Sequence, residues 1–391
     1  MSKLLRIGYL TYGLDREPTG IGRYALELLR ALGDLSVVKV VVLATETEDR
    51  YGLHKQFAYQ QLPGCRLLPV TLTLGNALLG PLSRLHQLDI IHDPNGIAPF
   101  LGASGGVRRV ITIHDTFAYT TPETHNWLDN WRFRWHLPAA ARRADAVITV
   151  SEQSRGDLLR YLRLSEQRVH VIGEGVDPRF RPLSEPVQRE QVLQKYGVRP
   201  PYLLYVGGIN PRKNIVRLLE AFARLRPSYP ALTLVIGGKR QWRTAEIAAA
   251  VKRDDIASEL HFTGYVADAD LPALYSGAEA FVFPSLHEGF GLPPLEAMAC
   301  GTPVITSNVS ALPEVVGAAA LTVDPCDVGA LTTAMVRVLD DQALRMTLIR
   351  RGIDRAAKFT WRQAALQTLE LYQMLVADPK SAALSIRSRH M

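Results

Sequence analysis

Short apolar runs rich in β-branched residues recur along the chain and alternate with segments whose apolar positions repeat every three or four residues. The first kind predicts strands, because a strand covered on both faces has no polar side to show. Such runs lie at residues 5–10, 37–43, 90–92, 110–114, 146–150 and 169–172. A second series follows at 202–206, 232–236, 260–262, 280–283, 303–306 and 320–323. Helical periodicity marks residues 21–32, 215–225 and 294–299. Strands alternating with helices imply parallel sheets, and two such series predict two doubly wound α/β domains.

The series are separated by Asp177-Pro178-Arg179-Phe180-Arg181-Pro182, a charged helical stretch at 187–196, and Arg199-Pro200-Pro201. Segments rich in proline and poor in core candidates are where domains part. The predicted organisation is a first domain at 1–180, a linker at 181–200 and a second domain at 201–358. A last amphipathic helix at 361–377 carries Trp361, Ala365, Thr368, Leu369, Tyr372 and Leu375 on one face. The tail at 378–391, with Ser381, Ser385 and Ser388, lacks this pattern and reads as loose.

Length fits this division, since 391 residues at about 150 per domain allow two or three. A chain with 47% hydrophobic and 21% charged residues is an ordinary soluble globular one, neither fibrous nor disordered. Cys65, Cys300 and Cys326 are too few and too scattered for a disulfide framework or a zinc site, which fits a reducing compartment. Lys3 and Arg6 interrupt any apolar run before a signal peptide forms, and no stretch approaches the roughly 20 apolar residues that span a bilayer. The expected location is therefore cytoplasmic. The net charge of +7 is dispersed and favours small anionic partners or an anionic membrane face. No zinc-finger, RNA-recognition or basic-region pattern points to nucleic acid.

Ligands of open α/β sheets bind beyond the carboxyl ends of the strands, so the chemistry belongs to the loops that follow them. Gly20, Gly22 and Ala25 formally match the Gly-x-Gly-x-x-Gly/Ala dinucleotide fingerprint, with Glu46 and Glu48 further on. The fingerprint needs a tight strand-to-helix turn, which the long stretch from Leu10 to Gly20 does not provide. A loop whose backbone, with Arg23, faces an anion or a sugar is the other functional reading, and a plain helix start the simplest.

A stronger signal is Gly207-Gly208-Ile209-Asn210-Pro211-Arg212-Lys213-Asn214, which links an apolar strand to an amphipathic helix. Two glycines allow close approach of backbone to ligand, and two cations near a helix start suit a diphosphate. A solvated basic turn is the alternative. The most informative stretch is His287-Glu288-Gly289-Phe290-Gly291-Leu292-Pro293-Pro294-Leu295-Glu296-Ala297-Met298-Ala299-Cys300-Gly301-Thr302-Pro303-Val304. Its two carboxylates, Glu288 and Glu296, suit acid–base work or a grip on vicinal hydroxyls. Met298 reads as helix packing and His287 as shaping its loop. His114, at the end of an apolar run, reads as a site residue ahead of a core histidine, with His92 and Asp93 as weaker candidates. Trp127, Trp131 and Trp135 form one helical stripe near Arg132, Arg134, Arg142 and Arg143, in a helix expected to be limited by Pro138. Core packing is the first reading of the stripe, a membrane interface or acceptor contact the others.

Together these motifs resemble the family 4 glycosyltransferases of the GT-B fold, and within them bacterial mannosyltransferase-like members. The resemblance runs over nearly the whole chain. It includes Ile113-His114-Asp115, the segment Ala144-Asp145-Ala146-Val147-Ile148-Thr149-Val150-Ser151, Phe262-Thr263-Gly264-Tyr265-Val266, and Phe359-Thr360-Trp361. It implies two Rossmann-like domains facing across a cleft, the N-terminal one on the acceptor side, the C-terminal one binding a nucleotide-sugar, and the last helix crossing back onto the first. By similarity, Arg212 and Lys213 hold the donor diphosphate, near Gly207 and Gly208. Glu296 bonds the ribose hydroxyls. Glu288 contacts the donor sugar, with Phe290, Gly291 and Leu292 nearby, and Tyr265 and Val266 lie where the nucleobase is seated. His114 lines the sugar site, and Gly20, Gly22 and Arg23 close over phosphate and acceptor.

The resemblance further implies a retaining hexosyltransferase with no metal or other cofactor, using a nucleotide-sugar donor and a glycan or lipid-linked acceptor in surface polysaccharide synthesis. A GDP-sugar, GDP-mannose first, is the favoured donor, and peripheral contact with the inner membrane is a further implied partner. A UDP-sugar-dependent transferase of the same family is the nearest alternative. A nicotinamide-dependent oxidoreductase and a catalytically inactive nucleotide-sugar-binding protein are the alternatives of other classes.

Overall fold

The computed structural model describes residues 4–12, 14, 20–46, 48–62, 76–96, 98, 106–124, 127–183, 185–239 and 245–377, without the side chains of Asp129 and Arg132. The expectations for the tail at 378–391 and for Cys65 fall outside these residues. The chain forms two compact units. The first takes the described residues of Met1–Pro122, Asn126–Gly175 and Trp361–Met391, and the second those of Glu123–His125 and Val176–Thr360.

The first unit is built on a parallel sheet of β1 (Leu5–Thr11), β2 (Val38–Ala44), β3 (Ala58–Gln61), β4 (Ile90–Asp93), β5 (Arg108–Ile113), β6 (Ala146–Thr149) and β7 (Val169–Val171), in the order β3-β2-β1-β4-β5-β6-β7. Its central strands are apolar because helices cover both faces. The edge strand β3, Ala-Tyr-Gln-Gln, is absent from the sequence reading, because a half-exposed edge carries polar residues and shows no apolar run. β5 begins two residues earlier than its apolar run. Arg108 and Arg109 are buried there despite their charge, and Arg109 pairs with Asp145 at 3.1 Å.

Helices of this unit include α1 (Gly20–Gly33), α2 (Trp127–Arg143) and α3 (Glu152–Leu162), the last capped by the Ser151 hydroxyl. The C-terminal helix Trp361–Ala377 also belongs to it. All six residues read as its apolar face are buried. The Tyr372 hydroxyl meets Nδ1 of His92 at 2.6 Å, Nε2 of His92 meets the Thr112 hydroxyl at 2.8 Å, and Thr112 meets the Tyr24 hydroxyl at 3.2 Å. This buried chain ties the last helix to β4, β5 and α1. His92 is therefore a core residue rather than a site residue, and burial pushes its pKa down to about 3. Asp93 closes a turn, accepting from the backbone N–H groups of Asn95 and Ala98.

The core reading of the tryptophan stripe is overturned. Trp127, Trp131 and Trp135 are 73%, 57% and 68% exposed. α2 buries Leu137, Ala140 and Ala141 instead, and Asn130 and Arg134 bond the segment 117–122 on the same side. Nor does Pro138 end the helix. The Arg134 carbonyl that loses its partner there accepts from the Tyr119 hydroxyl at 3.4 Å, so the helix continues to Arg143.

The second unit repeats the plan with β8 (Tyr202–Val206), β9 (Thr233–Gly237), β10 (Leu260–Gly264), β11 (Ala280–Phe283), β12 (Val304–Ser307) and β13 (Leu321–Val323), in the order β10-β9-β8-β11-β12-β13. Of its helices, α4 (Ile215–Leu225) follows directly on the turn that carries Arg212 and Lys213, and α5 (Leu292–Ala299) carries Leu292 and Glu296. Met298 packs on Gly352, as its helical position implies.

Candidate active site

In each sheet the strand order reverses once, between β1 and β4 and between β8 and β11. Loops leaving strands on either side of a reversal diverge and open a crevice. In the second unit these are the loops after β8 and β11, the two that carry Arg212, Lys213 and Glu288.

Arg212 and Lys213 sit in a single 3₁₀ turn, Pro211–Lys213, ahead of α4. Asn214 follows with a positive φ, and its amide donates to the carbonyls of Pro284 at 3.0 Å and Pro325 at 2.7 Å, which anchors the turn. The Leu286 N–H donates to the Arg212 carbonyl at 2.8 Å, joining the two loops directly. Arg212 Nη1 donates to Glu288 Oε2 at 2.9 Å and to the His287 carbonyl at 2.6 Å, and Lys213 Nζ donates to Glu288 Oε1. Lys213 also lies 4.8 Å from the Phe283 ring centroid. Ser310 bonds both the N–H and the carbonyl of Glu288, at 2.8 and 2.9 Å. Burial opposes the charge on Glu288, but Arg212 and Lys213 outweigh it and hold its pKa down to about 2. The result is a buried carboxylate with two cations, carrying net positive charge, before any substrate arrives.

The other residues of the long motif surround this cluster in sequence. Gly291 opens α5 at a φ of 131°, where a Cβ would lie 3.0 Å from Leu312. Phe290 is buried edge-on to Phe359. Glu296 is buried inside α5 and accepts from the Tyr275 hydroxyl at 3.1 Å. Tyr265 is half-exposed with Lys239 Nζ 5.2 Å from its ring centroid, and Val266 is buried beneath the end of β9.

The glycines after the strands have a partly different reason from the one read in the sequence. Gly207 N–H donates to the Gly237 carbonyl at 2.9 Å, and Gly238 N–H donates to the Gly264 carbonyl at 2.7 Å. The loops after β8, β9 and β10 are thus laced together, and Gly207 is approached by Gly238 of its own chain.

In the first unit His114 lies just past β5, with the Tyr24 ring edge-on at 4.6 Å, so the first turn of α1, with Gly20, Gly22 and Arg23, comes close to it. Both imidazole nitrogens face acceptors: Nε2 the Pro94 carbonyl at 2.9 Å, and Nδ1 a carboxylate oxygen of Glu174 at 3.3 Å. A neutral imidazole has one N–H, so both contacts are satisfied only by the imidazolium. Burial opposes that charge, yet Glu174, the Pro94 carbonyl and Asp115 prevail and raise the pKa of His114.

The stabilisation from this pair is complete below the ordinary histidine pKa and is lost as pH rises through the folded value. Glu174→Gln removes the carboxylate's charge while keeping its shape. It is expected to lower the His114 pKa, to cost about 1–3 kcal/mol, and to move the alkaline limb of stability to lower pH. NMR titration of the His114 ring checks this, and an unchanged midpoint would remove Glu174 as the cause. Sequence reading missed Glu174, although an acidic residue between Gly173 and Gly175 directly after an apolar strand is a usable signal. It also missed Ser310, whose partners are distant in sequence.

The glycine fingerprint does not form a dinucleotide turn, since β1 ends at Thr11 and α1 begins only at Gly20. Glu46 accepts from the Thr11 hydroxyl at 2.8 Å and from the Leu14 N–H at 3.1 Å, and so holds the chain after β1.

The chain thus consists of two parallel-sheet Rossmann-like units, the second with a cationic cluster at its strand-order reversal. Residues 18–180 match Glycosyltransferase Family 4 and residues 188–355 match Glycosyl transferases group 1. The chain is 35% identical to the O-antigen chain mannosyltransferase B of Escherichia coli, over 95% of this chain and 100% of that one. It is also 35% identical to an MMP alpha-(1->4)-mannosyltransferase of Mycolicibacterium hassiacum, over 75% and 72%. Among solved structures, a sucrose-phosphate synthase from Thermosynechococcus elongatus superposes with a TM-score of 0.78 at 24% identity, covering 95% of this chain and 99% of that one. HepE of Anabaena, in complex with UDP and glucose, gives 0.77 at 20%, covering 95% and 100%. The chain belongs to the family 4 glycosyltransferases and, within them, to the mannosyltransferase-like bacterial members.

Proposed function

We propose that this glycosyltransferase moves mannose from GDP-mannose to a glycan or lipid-linked acceptor in surface polysaccharide synthesis, at the cytoplasmic face of the membrane, retaining anomeric configuration and needing no metal. The observation that carries the reading is the buried Arg212–Lys213–Glu288 cluster where the β8 and β11 loops meet. The names of the relatives supply the sugar and the setting.

In this reading Arg212 and Lys213 hold the donor diphosphate, Glu288 and the backbone of Phe290, Gly291 and Leu292 face its sugar, Glu296 takes the ribose, and Tyr265 and Val266 border the base. His114 lines the sugar site, with Gly20, Gly22 and Arg23 beside phosphate and acceptor. The acceptor oxygen attacks the anomeric carbon on the face the phosphate leaves, the bond to phosphate breaks with its electron pair going to the leaving oxygen, and that oxygen takes the acceptor's proton. Cations fixed in advance stabilise the developing charge without reorganisation. Glu288, held ionised by its two partners, acts as a ligand and not as a nucleophile. Two cations at the phosphate position supply the charge that a divalent ion would otherwise bring.

Thermal-shift titration with GDP, UDP, ADP, dTDP and NADH, without added metal, tests the donor. GDP is expected to raise the Tm, with about 2.7 kcal/mol of stabilisation at a hundred times its Kd. A shift with UDP alone would move the donor to a UDP-sugar, and a shift with NADH alone would overturn the reading. An inverted product anomer by NMR would remove retention.

A further inference from the structure

Three adjacent tryptophans standing in water need an occupant, and α2 shows which chemistry fits. Asn130, Phe133, Arg134, Leu137, Ala140 and Ala141 turn toward the protein: Phe133 lies 4.5 Å centroid to centroid from Phe117, Arg134 donates to the Ala118 carbonyl at 2.9 Å, and Leu137, Ala140 and Ala141 enter the core. Trp127, Trp131 and Trp135 lie about a third of a turn round the axis, in a row spanning roughly 12 Å. Trp131 and Trp135 touch, with ring centroids 6.1 Å apart, and Leu128 is exposed beside them. The row is therefore an outward face of a helix whose inward face is already occupied.

Charge narrows the partner. The sequence of α2 holds four arginines against one aspartate. The guanidinium of Arg134 sits 5.5 Å from the Tyr119 ring centroid, that ring stacks on Tyr161, and Arg160 lies over Tyr161 at 5.3 Å. A row of exposed indoles on a helix whose sequence carries a net excess of arginine suits a surface that is apolar just below an anionic layer. Size argues against a second copy of the chain. The three indoles expose on the order of 400 Å², about half of what each side of a standard protein interface buries.

We propose that the outward face of α2 is a membrane-docking surface, with Trp127, Trp131 and Trp135 entering the headgroup boundary of an anionic phospholipid bilayer and the exposed Arg142 and Arg143 pairing with lipid phosphates. The inference names the element for the membrane contact but stands on α2 alone, independent of the donor reading. No described helix is long and apolar enough to cross a membrane, and the contact is that of a helix lying on the surface.

The test is sedimentation of the full chain with vesicles of phosphatidylcholine alone and of phosphatidylcholine with phosphatidylglycerol, in low salt, together with tryptophan emission. Binding to the anionic vesicles with a blue-shifted emission is expected, weakened by salt. The W127A/W131A/W135A variant is expected to bind at least about tenfold more weakly, because membrane affinity scales with buried apolar area. R142A/R143A is expected to lose part of the preference for anionic lipid. Circular dichroism and the nucleotide thermal shift should be unchanged in both, which separates a failure here from a failure of the donor site. No binding in low salt, equal binding to both vesicle types, full binding by the tryptophan variant, or a dimer that the tryptophan variant dissociates would each overturn the proposal.

Discussion

An Arg212→Ala/Lys213→Ala variant should lose about 10⁴-fold or more in kcat/KM, because each preorganised donor aimed at developing charge is worth about 10²–10³. It should also lose stability. Both cations pair with the same buried carboxylate, so their removal strands Glu288, and breaking a buried pair costs about 3–5 kcal/mol. Adding Glu288→Gln to the double variant removes the stranded charge. The triple variant is expected to recover most of the melting temperature and none of the activity, a split that separates the electrostatic role of the cations from their structural one.

The same cluster sets an acid limit. The depressed Glu288 pKa contributes stability that is present above the ordinary glutamate value of 4.5 and is lost as pH falls from there to about 2. This loss should vanish in the triple variant. Full transfer by the double variant would end the diphosphate assignment. A triple variant no more stable than the double would end the account of the pairing.

Gly238→Ala carries the second large effect. A Cβ at Gly238 would lie 1.9 Å from the Gly207 carbonyl oxygen, a backbone atom that cannot swing aside, and the residue sits at a φ of 142°. The loop after β8 must then move away from the loop after β9, at a cost of about 3 kcal/mol or more. The displaced loop is the one that runs into Arg212 and Lys213, so the nucleotide thermal shift should fall with the melting temperature. Gly264→Ala is the control. Its Cβ meets open space and only its φ of 69° opposes it, which costs about 1–2 kcal/mol. Equal effects of the two, or none from Gly238→Ala, would show that the three loops are not locked together.

The fold was legible because both sheets are parallel and covered on both faces, so nearly every strand leaves an uninterrupted apolar run. β3 was not legible, since an edge strand such as Ala-Tyr-Gln-Gln has one open side and no need of apolar residues. The motif around Glu288 and Glu296 pointed to the family, and the adjacency of Arg212 and Lys213 to a diphosphate, because those residues act through local backbone and spacing. Pairing across the chain left no such trace. That Glu288 is held by Arg212, Lys213 and Ser310, that Glu174 raises the His114 pKa, and that Gly238 presses on Gly207 all depend on the order in which the strands lie in each sheet.

The stripe on α2 shows the boundary most clearly. Sequence alone determined that Trp127, Trp131 and Trp135 share one side of a helix, because 3.6 residues per turn dictates it. Which side faces the protein was decided by tertiary structure, through Leu137, Ala140 and Ala141 entering the core and Arg134 and Tyr119 carrying the helix past Pro138. Periodicity determines which residues lie together on a face; only the packing of the remaining elements determines whether that face is covered.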